Sequence, residues 1–135
     1  MISLLTNEAL EQIEELLAEL GEKASEGVPI IVEGMDDVEA LKKLSIDGRF
    51  HKISGGNSLL NFVESFSGSK KIIVLTDFDR AGDELASFIT KHAKSLGVEP
   101  ITEFRDKLKP LVRRDVRDIE GLAKFLQKER SRQRG

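Results

Sequence analysis

The sequence predicts a three-layer α/β/α fold, in which a mainly parallel sheet of four strands is covered by helices on both faces. Short runs rich in Ile and Val alternate with longer segments whose apolar residues recur every three or four positions. The short runs are continuously apolar, which is typical of strands that are buried on both faces. Strands that alternate with helices in this way favour βαβ units and therefore parallel pairing.

The amino-terminal half is expected to contain two helices and two strands in alternation. The predicted strands are Ile30–Glu33 and Phe50–Ile53, each of which is bounded by turn-forming or charged residues. The residues that can cap the free amides of the two helices are Thr6 or Asn7 for the first and Asp36 for the second.

The carboxyl-terminal half continues the alternation as far as residue 104. We then expect an irregular segment over residues 105–118, because its apolar residues follow neither period. In chain order the predicted elements are a helix capped by Asn57 or Ser58, a strand at Lys71–Thr76, a helix at Gly82–Leu96, a strand at Val98–Phe104 and a last helix at Ile119–Arg130.

Composition excludes several classes of protein. The chain has no cysteine, which rules out disulfides and thiolate metal sites. It has no apolar stretch approaching the roughly 18–20 residues of a membrane span. The first residues lack the basic start and apolar run of a secretory signal. We therefore expect a cytoplasmic protein that does not bind membranes, and 135 residues fit one domain, 1–135.

The charge is distributed unevenly along the chain. Residues 1–104 carry 10 basic and 19 acidic residues, a net charge of −9, whereas residues 105–135 carry 11 basic and 5 acidic residues, a net charge of +6. A basic end on an acidic body can bind nucleic acid, and the alternative is a solvated helix face with a basic tail.

Acidic residues follow two of the predicted strands at the point where each strand ends. "IIVEGMDD" places Glu33 at the end of the first strand, and "IIVLTDFD" places Asp77 and Asp79 after the third. Functional groups in parallel sheets collect beyond the carboxyl ends of the strands, so Glu33 faces Asp77 if the two strands are neighbours. A cluster of carboxylates without thiol or histidine partners suits Mg²⁺ or Mn²⁺.

Each of these residues also has a purely structural interpretation. Glu33 alone could be an acid that reaches water, Asp36 an N-cap, Asp37 a partner of the helix dipole and Arg80 a solvated loop residue. An EF-hand is excluded, because Ala81 and Phe88 stand where that loop needs acidic residues.

Taken together, "VEGMDD", the glycine loop "SGGNS" and "TDFDRAG" resemble the Toprim domain of bacterial-type primases, topoisomerases and the nucleases that mature 5S ribosomal RNA. The chain as a whole is similar to small stand-alone Toprim proteins, many of them archaeal. The resemblance implies a Rossmann-like core at residues 27–105, with an N-terminal helix in 1–26 and a basic C-terminal extension in 106–135.

The resemblance also implies a site. Residues matching Glu33, Asp77 and Asp79 hold one or two Mg²⁺ ions in the family, and the glutamate is a candidate general acid or base. We predict supporting positions at Asp37, Gly34, Gly55, Gly82 and Arg80, and nucleic-acid contacts at Arg113, Arg114 and Arg117. Asp115, Asp118 and Glu120 belong to a charged motif, "RRDVRDIEG", to which the sequence assigns no role.

Three functions are consistent with these observations. The first is Mg²⁺-dependent phosphodiester chemistry on RNA or DNA, as a nuclease or a primase-like nucleotidyltransferase. The second is a non-catalytic, metal-binding subunit of a larger nucleic-acid-processing assembly. The third, an aspartyl-phosphate phosphatase, is disfavoured because Ala81 replaces the Thr or Val that it would need. Topoisomerase chemistry by this chain alone is excluded, since it has no tyrosine.

Overall fold

In the computed structural model, which describes residues 6–53, 58–112 and 116–134, four strands form one parallel sheet. The strands are β1 (Ile30–Val32), β2 (Phe50–Lys52), β3 (Lys71–Val74) and β4 (Glu99–Ile101). Their order across the sheet is β2-β1-β3-β4, and every neighbouring pair is parallel. The predicted fold class is confirmed, and the first and third strands are neighbours, which is the condition for Glu33 to face Asp77.

Six α-helices and a short 3₁₀ helix connect or flank the strands within the described residues. They are α1 (Asn7–Ser25), α2 (Met35–Lys43), α3 (Leu59–Glu64), α4 (Arg80–Ser95), α5 (Glu103–Leu108), the 3₁₀ helix Lys109–Leu111 and α6 (Ile119–Arg134). None of these helices has the length and apolar character needed to cross a bilayer.

Alternate residues of the central strands point to opposite faces of the sheet and create two cores. Ile30 and Val32 of β1 pack in a large cluster with residues of α1, α2, α5 and α6. Ile31, between them, packs in a second cluster with residues of α3 and α4. Because both faces of β1 are buried in this way, the strand reads as a continuous apolar run in the sequence.

Side-chain caps mark where several of the helices begin. Thr6 accepts a hydrogen bond from the backbone N–H of Ala9, and Ser58 accepts one from Asn61. Asp79 caps α4, which therefore begins at Arg80, two residues before the predicted start. The predicted cap at Asp36 is wrong, because the residue that precedes α2 is Gly34.

The structure also differs from the prediction after β4. The strand ends at Ile101 rather than Phe104, and much of the segment expected to be irregular is helical, as α5 and the 3₁₀ helix. Phe104 and Leu108 lie four residues apart and are both buried in the larger cluster, so one turn of helix places both in the core.

Candidate metal site at the carboxyl ends of the strands

Glu33 and Asp77 meet where β1 and β3 end. One carboxylate oxygen of Glu33 accepts a hydrogen bond from the backbone N–H of Asp77 at 2.7 Å. Glu33, Asp77 and Asp79 each offer a carboxylate oxygen, and these three atoms all lie within 4.8 Å of one another. The parallel pairing of β1 with β3 thus places Glu33 beside Asp77 and Asp79, although Asp77 follows Glu33 by 44 positions in the chain.

A second group of acids shares Asp77 with the first. Oxygens of Asp37, Asp77 and Asp118 also lie within 4.8 Å of one another. Asp37 belongs to the first turn of α2, and Asp118 directly precedes α6. The sequence predicted a supporting position at Asp37 but assigned no role to Asp118, which only the packing of α6 brings into the site.

The loop of residues 76–83, hereafter the Asp77 loop, is held by a buried arginine that sequence reasoning missed. Arg105 is only 4 % exposed, and its guanidinium donates to the carbonyl oxygens of Thr76 and Asp77 and to a carboxylate oxygen of Asp83 at 2.6 Å. Lys109 also binds Asp83, from the surface. The apolar residues of 105–118 follow neither the helix period nor the strand period, so nothing in the sequence indicated that an arginine in this segment is buried.

The Asp77 loop requires glycine at position 82, because the backbone of Asp77 lies too close for a side chain there. A Cβ atom at this position would lie 1.8 Å from the carbonyl oxygen of Asp77. The same turn is fixed by two hydrogen bonds of 2.7 Å, from the Gly82 N–H to Asp79 and from the Thr76 hydroxyl to the Gly82 carbonyl. Gly34 differs, since a Cβ there would meet nothing within 4 Å.

The acids differ in the hydrogen bonds that their carboxylates accept from backbone amides. Glu33 accepts from Asp77, Asp79 from Gly82, and Asp118 from Gly121, each at 2.7 Å. Asp37 accepts longer bonds of 3.3 Å from two backbone amides. Within the described residues, the Asp77 carboxylate accepts no hydrogen bond, although it belongs to both groups of acids.

This arrangement affects the protonation of Asp77 and Asp37. Burial, followed by the charges of Glu33 and the other nearby acids, raises the pKa of Asp77 from 3.8 to about 7. Burial also raises the pKa of Asp37, and the backbone hydrogen bond from Glu120 opposes that rise. A carboxylate with few donors and several negative neighbours is stabilised in its charged form by a bound cation.

The basic residues near the site differ in the contacts that they make. Arg117 is exposed, and its carbonyl oxygen accepts a hydrogen bond of 2.6 Å from the backbone N–H of Phe78, which fixes its position beside the Asp77 loop. The Arg80 side chain is 94 % exposed and lies 3.6 Å from Glu84. Gly55, Arg113 and Arg114 lie outside the described residues.

Comparison with known proteins identifies the family to which this chain belongs. Residues 28–111 match the sequence profile of the Toprim domain. The chain belongs to the Toprim family. This result confirms the resemblance inferred from "VEGMDD" and "TDFDRAG".

Archaeal proteins are similar over most of their length. A UPF0292 protein of Methanosarcina acetivorans is 40 % identical over 124 residues, which cover 91 % of this chain and 85 % of that protein. A UPF0292 protein of Methanocaldococcus jannaschii is 39 % identical over 120 residues, covering 88 % of this chain and 90 % of that protein. A solved structure of a protein from Aquifex aeolicus is 31 % identical, with a TM-score of 0.66, and covers 78 % of this chain and 94 % of that one.

The residues present fit the divalent metal that Toprim domains bind. The donors are all carboxylate oxygens, which hard cations such as Mg²⁺ and Mn²⁺ prefer. Asp77 lies in both groups of acids and accepts no hydrogen bond from the described residues, so it is the carboxylate whose charged form a bound cation would stabilise most.

Proposed function

We propose that the protein carries out divalent-metal-dependent phosphodiester chemistry on nucleic acid, with one or two Mg²⁺ ions held by Glu33, Asp77 and Asp79 and with Mn²⁺ as a substitute. The convergence of these three carboxylates at one sheet edge is the observation that carries the proposal. Bound ions of this kind orient phosphate oxygens, lower the pKa of a bound water and stabilise the charge that develops as the phosphodiester reacts.

Glu33 is the residue that we assign to proton transfer. One of its oxygens is held by the backbone N–H of Asp77 at 2.7 Å, which orients the side chain and leaves the second oxygen able to accept a proton. Asp77 is less suited to this role. It belongs to both groups of acids, so both of its oxygens can be taken up as metal ligands, whereas Glu33 belongs to one group and can exchange its metal contact for a proton.

The substrate is proposed to bind through its backbone rather than through stacked bases. All seven phenylalanines lie in the described part of the chain and each is buried or half-buried, which leaves little phenylalanine surface for base stacking. Exposed cations close to the acids, Arg80 and Arg117, together with Lys52 at the end of β2, are suited to phosphate contacts.

The experiment that tests this proposal incubates the purified full-length chain with end-labelled RNA and DNA. Single-stranded, duplex and structured substrates are compared with Mg²⁺, with Mn²⁺ and with a chelator, each with and without nucleoside triphosphates. We expect metal-dependent cleavage or extension of at least one substrate. No activity on any substrate, by a preparation that binds Mn²⁺, would exclude catalysis by the chain alone.

A matched pair of variants identifies the residue responsible. Glu33→Gln removes the proton acceptor and is expected to lower the rate by about 10²–10⁴-fold. Glu99→Gln makes the same change in an exposed residue at the opposite end of the sheet, where β4 begins, and should leave the rate unchanged. Equal rates for the two variants would remove Glu33 from the mechanism.

A second candidate is a non-catalytic, metal-binding subunit of a larger nucleic-acid-processing assembly. The observation that favours it is the hydrogen bond between Glu33 and the Asp77 backbone, because that bond also gives Glu33 a structural role. In this case the chain alone binds Mn²⁺ and nucleic acid, but the activity screen detects neither cleavage nor extension.

A further inference from the structure

Asp118 reaches the site from a part of the chain that follows the region matching the Toprim profile, which ends at residue 111. We infer that Asp118 is a further ligand of the divalent ion, so that ion binding and the docking of the amino end of α6 stabilise each other. This inference rests on the proposed metal site, to which Asp118 is joined through Asp77, and Asp37 is the other acidic neighbour of Asp118.

The first argument is the position of the carboxylate. Oxygens of Asp118, Asp77 and Asp37 lie within 4.8 Å of one another, a spacing that a single cation can bridge. Asp77 also lies within 4.8 Å of Glu33 and Asp79, so an ion bound to Asp77 is within reach of acids on both sides.

The second argument is how residues 116–121, hereafter the docked segment, are attached. The carbonyl oxygen of Arg117 accepts a 2.6 Å hydrogen bond from the N–H of Phe78, in the middle of the Asp77 loop. The N–H of Glu120 donates to Asp37 at 3.3 Å. Residues on both sides of Asp118, Val116 and Ile119, are buried in the larger core. These contacts hold Asp118 facing the other acids.

The third argument concerns the side chain itself. One oxygen of Asp118 accepts a 2.7 Å hydrogen bond from the N–H of Gly121, which caps α6 and leaves the second oxygen available. A Cβ atom at Gly121 would lie only 3.1 Å from this carboxylate, so glycine allows the carboxylate to lie close to the helix.

The alternative is that Asp118 serves only as an N-cap. Asn caps helices about as well as Asp, because the cap needs an oxygen acceptor and not a charge. The Asp118→Asn variant therefore keeps the cap and removes the negative charge. The capping interpretation predicts that metal affinity is unchanged, whereas our inference predicts that it falls.

The test is a Mn²⁺ titration of the full chain by calorimetry, with electron paramagnetic resonance as a second readout. Asp47→Asn is the control, since Asp47 is exposed and lies just before β2, at the opposite edge of the sheet. We expect Asp118→Asn to weaken Mn²⁺ binding at least tenfold and Asp47→Asn to leave it unchanged. Amide hydrogen exchange follows α6 directly, and Mn²⁺ should slow exchange at residues 119–122 in the wild type but not in Asp118→Asn.

The outcomes separate this inference from the proposed function. Wild-type Mn²⁺ affinity in Asp118→Asn would overturn the inference and leave the proposed function standing. Weakened affinity in Asp118→Asn, with no cleavage or extension by the wild type, would support the inference and exclude catalysis by the chain alone. A wild-type chain that binds no Mn²⁺ would overturn both.

Discussion

The Asp77 loop and the docked segment each deliver an aspartate to the same site, but they are held in different ways. The loop, residues 76–83, is fixed by the buried Arg105, by two hydrogen bonds of the Gly82 backbone and by the absence of a Cβ atom at Gly82. The docked segment, residues 116–121, touches the site through the Phe78–Arg117 backbone hydrogen bond and a longer one from Glu120 to Asp37.

This difference indicates which part of the site can adapt. The Asp77 loop presents Asp77 and Asp79 in a fixed position, because moving the loop would leave buried hydrogen-bonding groups unpaired. The docked segment can separate from the loop after losing few polar contacts, although it must also expose apolar residues such as Ile119. We therefore expect substitutions of the residues that hold the loop in place to cost the most stability and substitutions in the segment to act chiefly on binding.

The largest effect on stability is expected for Gly82→Ala. The added Cβ would overlap the carbonyl oxygen of Asp77, so the loop must move, at a cost of about 3 kcal/mol. Gly34→Ala is the matched control, because its Cβ meets nothing within 4 Å and its φ of −146° suits any residue. It should change the free energy of unfolding by less than about 1 kcal/mol in urea denaturation. Similar losses for the two variants would show that the loop is not rigid.

The next largest effect is expected for Arg105→Met. This change removes the donor to the Thr76 and Asp77 carbonyl oxygens and should cost about 2–3 kcal/mol. Lys109→Met removes the other cation that binds Asp83, but this pair is partly exposed and is worth less than about 1 kcal/mol. Chemical denaturation of both variants checks the comparison, and a loss for Lys109→Met as large as that for Arg105→Met would contradict it.

A smaller effect, of opposite sign, is expected for Asp77→Asn. The pKa of Asp77 is raised in the folded chain from 3.8 to about 7, so over that pH range the folded state holds a proton that the unfolded state has released. The free energy of unfolding of the metal-free protein should therefore fall as the pH rises through this window. Asp77→Asn should remove that dependence and stabilise the metal-free protein at neutral pH by about 1–2 kcal/mol, allowing for solvent screening of a partly exposed group.

The same variant separates a metal site from a structural acid. Asp77→Asn should also abolish the rise in melting temperature that Mg²⁺ produces in the wild type. The measurement is a set of melting curves at pH 5 and pH 8, with and without Mg²⁺. A destabilised Asp77→Asn variant that still responds to Mg²⁺ would assign Asp77 to the fold.

The sequence could predict the acids that directly follow the strands, but not the residues that helix packing brings to the site. Glu33, Asp77 and Asp79 directly follow apolar strands, and the carboxyl ends of neighbouring parallel strands meet, so local pattern and a topological rule were enough. Arg105 and Asp118 could not be found in this way. Each reaches the site only because a helix packs there, and each lies in the segment 105–118, which has no clear periodicity.

The fold shows the same division between local and long-range information. The positions of the first three strands and the caps at Thr6 and Ser58 follow from short stretches of sequence. Helix α5 was missed because only two of its six residues, Phe104 and Leu108, form its apolar face toward the core. An apolar face of two residues does not identify a helix in the sequence, because so short a helix is stabilised by packing against a neighbour, here α1.

The smallest effect is expected for Arg117, the exposed cation that the docked segment places beside the Asp77 loop. Its position depends on its backbone carbonyl, so Arg117→Ala should leave the fold and the site intact while removing one phosphate contact. Nucleic-acid affinity should then fall for all sequences alike, and the log–log slope of affinity against salt should flatten by roughly 0.7–0.9. Arg130→Ala is the control, since Arg130 is exposed but pairs with Glu14 on α1. Binding measured at several salt concentrations distinguishes the two variants, and an unchanged slope for Arg117→Ala would mean that the docked segment serves the metal site without contacting the substrate.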